Sequence, residues 1–222
     1  MSISRKSCLF FVIIMGIFLL SGCFNKSTPV DKIYDVLEKV VSTEDVFKDQ
    51  QEPLIELEKQ EKEIYDKIIS LGMKEVNEIN RLSDQAIAIV DKRKDHMNKE
   101  QESIADSQKE FNKTLPLINE IEETALKAKA QKLYDTMTER YKIHDELYKH
   151  YLEGVKLDRE LYLMFKKEDL QLEQLDAQIT KINEIYAEIL EENKEFNDKT
   201  KEYNDAKLSF YKESGLKIKT KE

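Results

Sequence analysis

The sequence contains no tryptophan, and glycine (5), proline (3), histidine (3) and cysteine (2) are scarce among its 222 residues. Each shortage excludes something. So few glycines and prolines fit long helices rather than a loop-rich domain or a disordered coil, since every tight reversal needs residues that tolerate turn geometry. Of the cysteines, Cys8 lies in the apolar leader, so the remainder holds one thiol, Cys23, and no internal disulfide. Packing alone must hold the fold. The three histidines, His96, His144 and His150, are not spaced i, i+4 as in a helical zinc pair, and no metal site is expected. A G-x-S-x-G nucleophile turn and a phosphate-cradling glycine loop are both missing, so the sequence offers no catalytic residue and no cofactor site.

Basic excess is also lacking: 36 Lys and Arg stand against 45 Asp and Glu. A nucleic-acid partner is disfavoured, because phosphate contacts need a basic face that releases counterions. Lying flat on anionic lipid is disfavoured for the same reason.

What is present begins with an address. Arg5 and Lys6 precede an apolar run from Leu9 to Leu20, too short for a comfortable permanent span, and the pattern reads as a signal peptide over 1–22. Leu20-Ser21-Gly22-Cys23 follows, which resembles the lipobox of bacterial lipoproteins. Small residues fit the peptidase cleft, and Cys23 takes a diacylglyceryl group through its thiol. An ordinary signal sequence with a stray cysteine, or an uncleaved anchor, are the alternatives. On the lipobox reading the protein sits at the outer face of the cytoplasmic membrane. Removal of Arg5 and Lys6 leaves 34 basic against 45 acidic residues, a net charge of −11. Acylation then supplies stable attachment, since two chains suffice where one does not.

Beyond a tether over 23–29, apolar residues recur at helical steps, which predicts a helical domain over 30–215 and a basic tail over 216–222. Ser42-Thr43-Glu44-Asp45 marks a restart, and Pro53 a kink or break. Ser70-Leu71-Gly72 and Thr114-Leu115-Pro116 mark reversals; Lys166-Lys167-Glu168-Asp169 offers charges suited to one helix end and the next start. A polar middle at Arg93 and Glu100 weakens the second seam. The last segment steps by threes and fours from Leu172 to Phe210, with polar Asn193, Thr200 and Lys207 on its seam, until Gly215 caps it. Four segments of about 40–50 residues would each reach roughly 60–75 Å. The expected fold is all-α: an elongated up-and-down antiparallel four-helix bundle with coiled-coil-like packing, or, should 114–116 be only a kink, a three-helix array.

Tyr134, Tyr141, Tyr148 and Tyr162 share one helix face. They suit a core seam, with hydroxyls reaching the rim, and equally a platform for sugar rings or peptide stems. Tyr141, Tyr148 and Tyr151 are therefore candidate wall-polymer contacts. Lys92-Arg93-Lys94 and the tail lysines Lys217, Lys219 and Lys221 are either solvated charge or contacts for anionic teichoic polymers.

The lipobox, the opening Val30-Asp31-Lys32-Ile33-Tyr34, the Ile69-Ser70-Leu71-Gly72 turn and the stretch Leu161-Tyr162-Leu163-Met164-Phe165-Lys166-Lys167-Glu168-Asp169-Leu170 together resemble the YkyA-like cell-wall-binding lipoproteins of Bacillus- and Staphylococcus-type bacteria. That resemblance implies a helical bundle in the envelope, associated with peptidoglycan or teichoic polymers, and carries no catalytic residues. A non-enzymatic, lipid-anchored binding or spacing element is the resulting expectation. The alternative is a scaffold or regulator that docks another envelope protein through a helix face.

Overall fold

The computed structural model describes residues 27–71 and 75–216. The signal peptide, Cys23, Gly72 and the tail lysines Lys217, Lys219 and Lys221 lie outside the described residues. Among the described residues there are six helices: α1 (Pro29–Thr43), α2 (Asp45–Ser70), α3 (Val76–Phe111), α4 (Thr114–Asn119), α5 (Thr124–Phe165) and α6 (Leu172–Glu213). They form four long arms, because α1 and α2 follow one another with only Glu44 between them and α4 is a short piece of the connection to α5. This is the antiparallel four-helix arrangement that the periodicity predicts. At 1.5 Å per residue, α5 and α6, with 42 residues each, are about 63 Å long.

Local chemistry sets the ends. Thr28 caps α1 in a capping box: its hydroxyl accepts from the Asp31 amide at 3.2 Å, and Asp31 accepts from the Thr28 amide at 2.9 Å. Pro29 follows as the first helical residue, where its missing N–H costs nothing. At the far end Gly215 takes φ +70°, the left-handed geometry expected of a helix terminator.

The restart expected near 42–45 is present, but no N-cap makes it. Ser42 and Thr43 turn their hydroxyls back to the Lys39 carbonyl at 2.8 and 2.9 Å. Instead Ser103 of α3 enters the helix ladder: its hydroxyl donates to the Thr43 carbonyl at 2.8 Å and accepts from the Phe47 amide at 3.1 Å. Those two groups would otherwise bond each other, and an inserted side chain of this kind bends a helix. Pro53, by contrast, breaks nothing, since α2 runs through it. Its lost hydrogen bond is offset by the buried Phe47 and Leu54 on either side, which hold the helix in the bundle core.

The packing is a chain of neighbours: α2 on α3, α3 on α5, α5 on α6, with α1 on α3 and α4. Along the half of the rod that contains α1, the ends of this array are bridged by large side chains. Tyr34 meets Tyr211 at 5.4 Å between ring centres, Phe47 meets Phe196 at 5.8 Å, and Lys207 Nζ reaches Glu38 at 3.3 Å. Burial lowers the Lys207 ammonium from its usual range, and Glu38 works against that. A single apolar cluster fills this half. In the other half a second cluster joins α2, α3, α5 and α6, yet α2 and α6 do not pack on each other. A groove opens between them.

Candidate functional site

The groove encloses about 510 Å³, with α2 and α6 as its walls and side chains of α3 and α5 as its floor. Helical periodicity places that floor. Arg93 falls on the stripe with Ile89 and Met97, Glu61 between Leu54 and Ile68, and Asp158 between Tyr151 and Tyr162, so all three polar groups point inward at one height. Arg93 is only 2% exposed.

Its guanidinium is fully engaged. Nη1 donates to Glu61 at 2.5 Å and to Asp158 at 2.9 Å, Nη2 to the Tyr186 hydroxyl at 2.6 Å, and Nε to the Tyr151 hydroxyl at 3.1 Å. Tyr186 in turn donates to Asp158, Tyr162 to Glu61 at 3.2 Å, and Tyr151 to Glu58 at 3.0 Å. The cation also lies over the rings of Tyr151 and Tyr186, at 5.2 and 5.8 Å. Burial pushes the hydroxyls of Tyr151, Tyr162 and Tyr186 well above the ordinary phenol range, so they stay neutral donors. Burial also lifts the Glu61 carboxyl, to about 7; Arg93 pulls it down and Asp158 pushes it up.

Two further polar layers lie along the rod. Glu100 meets His144 at 3.1 Å and accepts from Gln51 at 2.7 Å. Arg140 grips both oxygens of Glu44 at 2.9 Å and donates to Thr200 at 2.9 Å. Thr200 and Lys207, polar on the α6 seam, thus face partners across the bundle. Asn193 instead donates to the Ile189 carbonyl of its own helix at 3.0 Å.

The sequence-predicted contacts separate. Tyr141 is 1% exposed, its hydroxyl 2.7 Å from that of Ser107 and its ring edge-on to Phe111, so as a wall-polymer platform it has no free face. Tyr134 and Tyr148 reach across α3, to Asn112 at 3.3 Å and Asn98 at 2.9 Å, and are half-buried. The tyrosine face is therefore the α5–α3 seam. Tyr151 is different: though buried, it lines the groove. Lys92 and Lys94 are solvated, but Arg93 between them is the most enclosed cation of the site, a correction to the basic-patch reading. Charge runs locate the surface only when no member falls on the seam. His96 and His150 sit beside Gln50 and Glu192, each at 2.7 Å, and among the described residues no His, Cys, Asp and Glu group has a metal-holding arrangement.

Residues 28–213 match the family described as "YkyA: Putative cell-wall binding lipoprotein". The chain belongs to the YkyA family. It is 35% identical over 157 residues to the Bacillus subtilis (strain 168) protein named "Uncharacterized lipoprotein YkyA", a match covering 71% of this chain and 70% of that one. Its fold is similar to the crystal structure of a conserved Staphylococcus aureus protein of unknown function, with a TM-score of 0.72, 18% identity, and coverage of 84% of this chain and 97% of that chain. The Bacillus relative is a lipoprotein by name, and the described residues of this chain form an all-helical bundle. Among the described residues no helix is long and apolar enough to cross a membrane.

Proposed function

We propose that this YkyA-family chain is held at the outer face of the cytoplasmic membrane by a diacylglyceryl group on Cys23 and contacts the cell wall through the groove between α2 and α6, without catalysing a reaction. The open groove between α2 and α6 carries this reading. It is concave, lined by tyrosines and aliphatic side chains with a few polar groups, the usual make-up of a binding site. Contact is favoured over catalysis because the ionisable groups on its floor are committed to one another. Arg93, Asp158 and Glu61 form a closed network, and a general acid or base needs a proton route to a substrate. Tyr151 inside the groove and Tyr148 at the edge of α5 are the tyrosines assigned to wall contact. Lys217, Lys219 and Lys221 are assigned to anionic teichoic polymers, an attraction that salt must weaken.

Ile55 and Leu190, 42% and 62% exposed on the two rims, favour a second reading in which an envelope protein lays a helix into the same groove. Sedimentation with purified walls, run beside a crosslinking pull-down from intact cells, separates the two. Wall binding without a protein partner supports the first; a protein partner without wall binding supports the second.

A further inference from the structure

The groove carries an imbalance of charge that narrows what it accepts. Carboxylates outnumber cations five to three among its lining residues. Two of the cations are already paired on their own helices, Lys62 with Asp66 and Lys194 with Glu191. With Asp66 so paired and Glu100 held by Gln51 and His144, Arg93 stands before the three remaining carboxylates: Glu61 at 2.5 Å, Asp158 at 2.9 Å and Glu58 at 3.7 Å. Even with Glu61 partly protonated, one guanidinium does not balance the carboxylates that face it. Glu61 and Asp158 take the close positions and are buried, whereas Glu58 stands off and its side chain is 40% exposed to the groove. Both of its contacts, with Arg93 and with the Tyr151 hydroxyl, fall on Oε1. The α6 wall of the groove supplies the amide groups of Asn183 and Asn197, each both donor and acceptor, as an amide backbone requires.

We infer that the α2/α6 groove binds an amine-bearing peptide chain, with the ligand's ammonium placed against Glu58 and its amide backbone along the asparagines of α6. For the source of that ligand the inference rests on the wall-binding reading: the peptide stems of wall polymer carry such amines, and anionic teichoic polymers are excluded from this site. Like charge keeps a polyphosphate away from a lining with surplus carboxylate, while an ammonium gains a charge-assisted hydrogen bond.

The test uses the mature lipoprotein purified in detergent. It is titrated with a lysine-containing stem pentapeptide carrying a free side-chain amine, with the same peptide acetylated at that amine, and with a glycerol-phosphate teichoic polymer as competitor. The free-amine peptide binds, and acetylation weakens it by about tenfold or more, the effect of losing one charge-assisted hydrogen bond. Glu58→Gln weakens the free-amine peptide by a similar factor and leaves the acetylated one unchanged; teichoic polymer does not compete. Equal binding of the two peptides overturns the inference, as does competition by the teichoic polymer or an unaffected Glu58→Gln variant. The acetylated peptide needs no variant, so a folding defect in Glu58→Gln cannot obscure the answer. Sedimentation with intact walls separates this inference from the broader one. Walls bound with no effect of acetylation leave the wall reading standing and remove the ammonium site; amine-dependent peptide binding without wall sedimentation does the opposite.

Discussion

Ser103 stands in the gap between Phe47 and Thr43, taking the amide of one at 3.1 Å and giving its proton to the carbonyl of the other at 2.8 Å. A single hydroxyl on α3 thereby fixes the joint between α1 and α2. Next to it Ser107 donates to Glu44 at 2.6 Å, and Arg140 holds Glu44 from α5, so three arms meet at the bend. The joint marks where the bundle changes character, closed by aromatic bridges on the α1 side and open as a groove on the α2 side.

Removing that hydroxyl tests the joint directly. Ser103→Ala leaves a buried amide and carbonyl without partners, at a cost of about 1–3 kcal/mol, unless the ladder closes and the rod straightens. The expected result is a loss of stability in that range in denaturant titration, together with faster amide exchange at Phe47. A variant as stable as the parent, with Phe47 equally protected, shows that Ser103 is incidental to the bend.

At Arg93 a larger effect is expected. Arg93→Met keeps much of the side-chain volume but strands Glu61 and Asp158, both only 8% exposed, without their cation. Breaking a buried ion pair by removing one partner costs about 3–5 kcal/mol. Chemical unfolding measures it, and a loss under about 1 kcal/mol shows that the carboxylates find water or protonate at little cost.

The same residues show what the sequence could and could not reveal. The arms and their reversals were legible, because an apolar stripe repeating by threes and fours, with few glycines and prolines, permits little else. Arg93 and Glu100 were visible as polar interruptions of the α3 stripe, and Thr200 and Lys207 as interruptions of the α6 stripe. That they mark polar layers was not, since a partner on another arm is a fact of register that one stripe does not contain. A usable signal did exist: Glu61, Arg93 and Asp158 each occupy an inward position on separate arms, with opposite signs. The groove was beyond reach for a different reason. It depends on α2 and α6 parting beyond the Phe47–Phe196 contact, and the α6 stripe keeps the same three-and-four step through both the closed and the open half. Pro53 misled because a local preference was outweighed by packing on both sides.

Anchoring is tested at Cys23. Replacing it by alanine removes the thiol that the diacylglyceryl group needs, so labelled palmitate no longer enters the protein and the chain leaves the washed membrane fraction. Loss of one acyl-anchored attachment is large, at about 0.8 kcal/mol per buried methylene. Unchanged membrane retention of Cys23→Ala, with no label in the parent, sinks the lipoprotein anchor.

Glu61 makes stability depend on pH in a direction opposite to that of an ordinary salt-bridged carboxylate. Its carboxyl titrates at 4.5 when free and is raised by burial to about 7 in the fold. Between those values the folded chain holds a proton that the unfolded chain has released, so protonation stabilises the fold. The contribution is fully present below 4.5 and is lost as pH rises through about 7, and it is on the order of 3 kcal/mol. Glu61→Gln keeps the shape and one acceptor for Arg93 but cannot ionise. Its unfolding free energy, measured by denaturant titration at a series of pH values, should therefore fall less than the parent's across that window, with the difference between the two proteins growing as pH rises. Parallel curves for parent and variant would mean that Arg93 keeps Glu61 ionised throughout, and that the network on the groove floor carries its full negative charge at every pH in the range.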